Sequence, residues 1–276
     1  MERIFSGKSI RSQYIVQPEF ASLLLANNLT GADDFLALKG GAVVRAVPGR
    51  ITQRIELKSS DGSKLITYLK CYECAPTVLC RRPGLTRRII NESLNEWRQI
   101  QNLRKFGLRT AEAVASGWRQ VENGRIDGFI MTAEIRSAKS GYDYWAANHS
   151  QSRHLIQQIA DLARRFHQAG FIHKDFYLDH IFMAERNGEV DLTLIDLQRV
   201  LGPGKFRERW LLKDFGSLLY SLEKAGVKRG GLLRLFKLYK GDHPLGAVER
   251  KFLRKALKRA AWLHGRKPKY GEPESK

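Results

Sequence analysis

Two carboxylates, Asp175 and Asp196, lie 21 residues apart in surroundings that suit phosphoryl transfer. The first belongs to the run His173-Lys174-Asp175-Phe176-Tyr177-Leu178-Asp179-His180, the second to Leu194-Ile195-Asp196-Leu197. Phosphoryl transfer asks one carboxylate to position an attacking hydroxyl. It asks another to hold the magnesium that neutralises the nucleotide phosphates.

The neighbouring sequence predicts the elements that would place them. Leu155, Ile159, Leu162 and Phe166 recur at helical spacing, so they line one face of a helix that begins near Ser150 or Ser152 and stops at Gly170. Downstream, Ile181-Phe182-Met183 and Val190 to Ile195 are short apolar runs around Asn187-Gly188, a dipeptide suited to a tight hairpin. Asp175 lies just before the first strand and Asp196 closes the second, so both should face one cleft.

A protein kinase carries Asn five residues after its catalytic Asp and Gly two residues after its metal Asp. His180 and Gln198 occupy those positions here. These departures have a pattern of their own. The chain resembles the bacterial lipopolysaccharide core kinases (the Kdo/heptose kinase, or WaaP-like, family), which have a loop of the form His-basic-Asp-x-Tyr-x-x-His-Phe and a later Ile-Asp-Leu-x-Arg. The counterparts here are His173 to Phe182 and Ile195-Asp196-Leu197-Gln198-Arg199. The likeness extends to Asn95-Glu96-Trp97-Arg98 with Gly107, to Phe129-Ile130-Met131-Thr132, and to Arg209-Trp210 through Lys213-Asp214 and Leu218-Leu219-Tyr220-Ser221. It covers roughly positions 40 to 240 and fades in the first 30 residues and the basic tail. It implies an α+β, bilobal, protein-kinase-like fold that uses ATP and Mg2+ to phosphorylate a heptose or Kdo hydroxyl of the lipopolysaccharide inner core. The expected organisation is a small β-rich lobe with an N-terminal extension over 1–135, and a mainly helical lobe over 136–276.

The first half fits that organisation. Val43 to Ala46, Ile51 to Leu57 and Lys64 to Tyr72 read as strands separated by turns at Pro48-Gly49 and Ser60-Asp61-Gly62. Lys70, near the end of the third strand, takes by resemblance the role of contacting the α and β phosphates of ATP. Glu96, on the following helix, would hold that lysine in place. Ser93-Leu94-Asn95-Glu96 also fits a capping box, but the apolar Ile89-Ile90 suggests an earlier helix start and favours the ion pair. No Gly-x-Gly-x-x-Gly is present, so Gly40 and Gly41 are the candidates for a phosphate-covering loop, with an ordinary turn as the alternative. Phe129 to Thr132 and Ala133-Glu134-Ile135 would form the strand and hinge that hold the adenine.

A literal Asp214-Phe215-Gly216 sits in a segment of helical spacing, Leu211, Phe215, Leu218 and Leu219 making one face. A helix interior suits a metal aspartate poorly, so Asp196 is the expected ligand. By resemblance, Asp214 braces the catalytic loop. His173 is expected to support that loop. His180 stands where kinases place a metal-binding Asn, yet neutral imidazole is a weaker partner for magnesium than oxygen is, so a hydrogen bond to Asp175 or phosphate is the alternative. His149, His154, His167, His243 and His264 receive no role.

Composition bounds the partners. At 276 residues, with 43% hydrophobic and 28% charged residues, the chain has the makeup of a globular protein with a substantial core. No apolar run approaches the ~20 residues of a membrane span. The N-terminus lacks the basic-then-apolar order of a signal peptide, so cytoplasm is the expected compartment. Cys71, Cys74 and Cys80 lack the fourth ligand a zinc site needs and read as reduced thiols. The formal charge is +20, and residues 231 to 276 hold 13 Lys/Arg against 4 Asp/Glu. Phe252, Ala256, Ala260 and Leu263 line one helical face with Leu253 and Leu257 beside them, while Arg250, Lys251, Arg254, Lys255, Lys258 and Arg259 cover the rest. Such a helix can rest on the anionic inner membrane surface, bind the lipopolysaccharide core or its lipid-linked precursor, or pack on the fold within solvated charge. Nucleic acid is disfavoured, since no recognition motif accompanies the charge. A kinase acting on protein or a small hydroxyl compound would show the same catalytic residues; a noncatalytic basic binding module would not need them.

Overall fold

The computed structural model describes residues 12–75, 78–79, 89–121 and 125–266; Cys80 and residues 267–276 of the basic tail lie outside them. Among the described residues the chain forms two compact units. One runs to Ile100 and adds Ala111–Glu134, and the other joins Gln101–Thr110 to the residues from Ile135 onward.

The first unit contains β1 (Ser12–Val16), α1 (Ala21–Ala26), α2 (Ala32–Ala37), β2 (Ala42–Val47), β3 (Arg50–Lys58), β4 (Lys64–Ala75), β5 (Val78–Leu79), β6 (Ile89–Ile90), the start of α3 (Glu92–Lys105), β7 (Ala113–Gln120) and β8 (Ile126–Ala133). Six strands make one antiparallel sheet in the order β1-β7-β8-β4-β3-β2. Alternation along β4 divides its side chains between two faces. Leu69 and Cys71 join Leu24 of α1, Phe35 of α2, Phe129 and Met131 in one apolar cluster. Phe35 stacks on Phe129 with centroids 4.3 Å apart. Lys70 and Tyr72 point the other way, toward α3. Burial pushes the Cys71 thiol up to about 11, so it stays protonated and inert.

The helix bearing Glu96 starts later than the sequence suggests. Ile89-Ile90 pair with Val78-Leu79 as a short ladder, and Asn91 caps the helix by accepting the Leu94 N–H at 2.7 Å. The capping box also fails, because Ser93 Oγ donates to Asn91 at 2.7 Å and Glu96 lies a turn inside the helix.

The second unit holds the end of α3, β9 (Lys139–Ser140), α4 (Gly141–Ala147), α5 (Ser152–Gln168), β10 (Ile181–Arg186), β11 (Glu189–Leu194), α6 (Glu208–Lys224), α7 (Arg229–Lys240) and α8 (Ala247–His264). Its small sheet has the order β11-β10-β9. The expected apolar face of α5 is buried. The β10–β11 hairpin closes at Asn187 (φ 53°) and Gly188 (φ 78°), the left-handed pair that a two-residue hairpin turn requires.

α8 resolves the alternatives for its apolar face. It packs on α6 and buries Leu253, Ala256 and Ala260, with Phe252, Leu257 and Leu263 half-buried. That face is occupied by the fold, while Val248 and Trp262 of the same helix stay exposed. Arg250, Lys251, Arg254, Lys255 and Lys258 remain exposed. No helix of the described residues is long and apolar enough to cross a membrane.

Candidate active site

In the first unit, Lys70 Nζ lies 2.9 Å from Glu96 Oε1 and 3.2 Å from Oε2. Tyr72 OH approaches the same carboxylate at 3.5 Å. The sheet pleat explains the trio: Lys70 and Tyr72, two residues apart, share the face toward α3. Glu96 is only 3% exposed, so removing Lys70 would leave an uncompensated buried charge.

The glycine pair stands apart from that lysine. Lys70 faces Thr52 across the ladder, whereas Gly41 lies against Arg54 and Ile55, about 10 Å along it at 3.3 Å per residue. A Cβ on Gly41 would fall 2.7 Å from Ile55 Cγ1 and 2.8 Å from the Arg54 carbonyl oxygen, and Gly40 has φ 102°. Close packing at Gly41 and a left-handed turn at Gly40 each call for glycine. The turn nearer the level of Lys70 is Pro48-Gly49, between β2 and β3. At the expected hinge, Glu134 donates its N–H to the Ile66 carbonyl (2.9 Å), and its carboxylate accepts from Arg54 and Tyr68, each at 3.2 Å.

In the second unit, the loop that carries Asp175 hangs from α6 at two points. Asp214, fully buried, accepts the His173 N–H at 2.6 Å and the Lys174 N–H at 2.7 Å. Two turns further along, Ser221 Oγ accepts the Leu178 N–H at 3.0 Å. Asp214 thus braces the loop from within a helix, and both its oxygens are engaged. Behind it, Asp214 Oδ2 lies 3.4 Å from His167 Nε2, and His167 Nδ1 lies 3.1 Å from Tyr239 OH.

Asp196 follows β11 with φ 59°. A non-glycine residue in the left-handed region costs roughly 1–2 kcal/mol, so its neighbours must hold it there. Ile195 provides the hold: its N–H donates to the His180 carbonyl at 3.0 Å, and its own carbonyl accepts from His173 Nε2 at 3.1 Å. Lys174, at φ 70°, is held by Asp214.

Asp175 and His180 meet through the backbone, since His180 Nδ1 donates to the Asp175 carbonyl at 2.7 Å. The carboxylate of Asp175 has two cationic partners whose roles the sequence alone does not show. Arg199 Nη1 lies 2.8 Å from Oδ2 and Lys213 Nζ 3.8 Å from Oδ1. His180 Nε2 lies 3.6 Å from Asp196 Oδ2. A carbonyl only accepts, so Nδ1 carries the proton of a neutral His180 ring and the Nε2 lone pair faces Asp196.

Burial, with a smaller push from His180, lowers His173 to about 4 against the pull of Asp214, Asp196 and Asp175. Its ring is neutral near pH 7, with the proton on Nε2 and a buried Nδ1 that has no hydrogen-bond partner. Because the unfolded ring takes up a proton near 6.5 and the folded ring only near 4, stability is complete above pH 6.5 and falls as pH drops toward 4. The slope from this residue approaches about 1.4 kcal/mol per pH unit. Urea unfolding midpoints across that window should decline for the wild type and decline less for His173→Gln.

The profile of the lipopolysaccharide kinase (Kdo/WaaP) family matches residues 86–239, more than half of the chain. The lipopolysaccharide core heptose(I) kinase WaaP of Escherichia coli strain K12 is 28% identical over 230 residues, 79% of this chain and 85% of that protein. Among solved structures, WaaP in complex with acyl carrier protein superposes with a TM-score of 0.65 at 24% identity, covering 91% of this chain and 96% of that one. The Rio2 kinase of Chaetomium thermophilum, in an ADP/Mg2+-phosphoaspartate complex, gives a TM-score of 0.50 at 12% identity, covering 95% of this chain and 82% of that one. These two likenesses show the fold. The chain belongs to the lipopolysaccharide kinase (Kdo/WaaP) family and is an ATP-dependent phosphotransferase of protein-kinase-like fold.

Proposed function

We propose that this kinase transfers the γ-phosphoryl group of ATP to a heptose hydroxyl of the lipopolysaccharide inner core, the chemistry named for its Escherichia coli relative. The observation that carries the reading is the Asp175 loop, braced by Asp214 and Ser221 and tied through His180 to the segment of Asp196. In the reaction, the sugar oxygen attacks the γ-phosphorus while the bond to the β–γ bridging oxygen breaks and ADP leaves. The hydroxyl proton passes to the Asp175 carboxylate. Lys70, steadied by Glu96, serves the nucleotide phosphates. Rate acceleration comes mainly from position and from fixed charge. Release of ADP should depend on added core oligosaccharide, and an equal rate without it would count against the acceptor.

The donor set fits a magnesium ion sparingly. Asp196 offers the hard oxygen such an ion prefers, His180 a softer nitrogen, and the remaining positions fall to nucleotide phosphates and water. A bound Mg2+ would neutralise charge on those phosphates. Asp196→Asn should therefore weaken nucleotide binding only when magnesium is present, whereas His180→Asn, which restores an oxygen ligand, should keep most of that dependence. Calorimetric titration with and without Mg2+ checks both. Loss of magnesium dependence in His180→Asn alone would reverse the two roles.

A cytoplasmic enzyme whose acceptor is lipid-anchored gains from resting at the inner membrane surface. The exposed Arg250, Lys251, Arg254 and Lys258 suit electrostatic adsorption, each contributing about 1 kcal/mol near an anionic leaflet. Sedimentation with phosphatidylglycerol vesicles should fall when the four are neutralised and at ~1 M salt, where screening shortens to ~3 Å. Binding indifferent to both would remove this role.

A further inference from the structure

Three cations gather about the Asp175 carboxylate. Arg199 and Lys213 take the two oxygens of Asp175, at 2.8 Å and 3.8 Å. Lys174 precedes it in sequence and lies with Nζ 5.5 Å from the Trp210 ring centroid, while Arg209 lies 5.0 Å from the same ring. Asp214 is fully buried and committed to backbone N–H groups. Burial, then Arg199, lowers Lys174 below its ordinary range, and burial lowers Lys213, with Arg199 and Arg259 repelling it against the pull of Asp175. Cations held this close repel one another, and an anion among them relieves that repulsion.

Arg199 is built to receive such an anion. It is 49% exposed and its bond to Asp175 runs through Nη1. A guanidinium has five N–H donors in a planar fork that matches carboxylate or phosphate. Asp175 is the group set against the acceptor hydroxyl, so an anion bound beside it belongs to the acceptor. We infer that Arg199, with Lys213 and Lys174, binds a carboxylate or phosphate next to the hydroxyl that receives phosphate, and so selects anionic acceptors. This rests on the proposed sugar acceptor and names the feature of it that the site recognises.

The test uses core oligosaccharide in three forms: intact, with carboxylates reduced to alcohols, and with phosphates removed by hydrofluoric acid. For the full chain, kcat/KM should fall about ten- to a hundredfold for the form lacking the recognised anion, the scale of a charge-assisted contact. In Arg199→Gln the ratio between forms should shrink toward one, whatever loss they share, and Arg199→Lys should retain part of it. If Arg199→Gln turns over too slowly, calorimetric binding of the three forms to Asp175→Asn, with and without Arg199→Gln, yields the same ratio. Equal kcat/KM for all three forms overturns the inference. So does a ratio that survives Arg199→Gln, or an effect of that variant confined to the KM for ATP. If the wild type phosphorylates none of the forms, the sugar-acceptor reading fails and the inference with it.

Discussion

Asp175→Asn is expected to lower kcat by about two to four orders of magnitude, the range for loss of a positioned proton acceptor. The amide keeps the size of the side chain and an oxygen that can accept from Arg199, so the loop retains its backbone bonds to Asp214 and Ser221. Thermal stability and ATP affinity should stay near wild type, and single-turnover rates at saturating ATP would isolate the loss in transfer. Near-normal turnover would remove Asp175 from the chemistry.

Asp214→Asn should act on the fold instead. The carboxylate accepts from two adjacent backbone N–H groups, one on each oxygen, in a fully buried position. An amide offers one acceptor and turns an NH2 toward the other donor. A buried N–H left without a partner costs about 1–3 kcal/mol, and bonds to a charged acceptor are stronger than neutral ones, so a loss of roughly 2–4 kcal/mol is expected. The urea midpoint should drop accordingly while the magnesium dependence of nucleotide binding persists, the reverse of the pattern expected for Asp196→Asn. A selective loss of metal dependence in Asp214→Asn would exchange the two aspartates.

Those two aspartates also show what was legible in the sequence. Asp214 lies in a literal Asp-Phe-Gly, but helical spacing placed it inside α6, and the structure puts it there with its oxygens on the loop backbone. The β10–β11 hairpin was readable because Asn187-Gly188 supplies left-handed angles that few other dipeptides allow. Contacts set by tertiary packing were not. Arg199, Lys213 and Ser221 fall in segments that carry the family likeness, but they and Tyr72 find Asp175, the loop and Glu96 across gaps of 24 to 43 residues, and no local pattern names those partners. The start of α3 was misplaced because Ile89-Ile90 reads equally well as helix or strand when two residues long, and its pairing with β5 decided the matter. α1 and α2, six residues each, are too short for an apolar period to show, yet they bring Leu24 and Phe35 to the first sheet's core. For Gly40 and Gly41 the sequence signals only backbone freedom, and the close approach of Ile55 and Arg54 to Gly41 is a tertiary contact that no local pattern shows.

The most direct test of the account is mass spectrometry of dephosphorylated core oligosaccharide incubated with the kinase, ATP and Mg2+, with fragmentation to locate any gain in mass. One added phosphoryl group on a heptose is expected, dependent on ATP and lost with Asp175→Asn. Phosphate on another sugar, no phosphate on the oligosaccharide, or undiminished transfer by Asp175→Asn would contradict it.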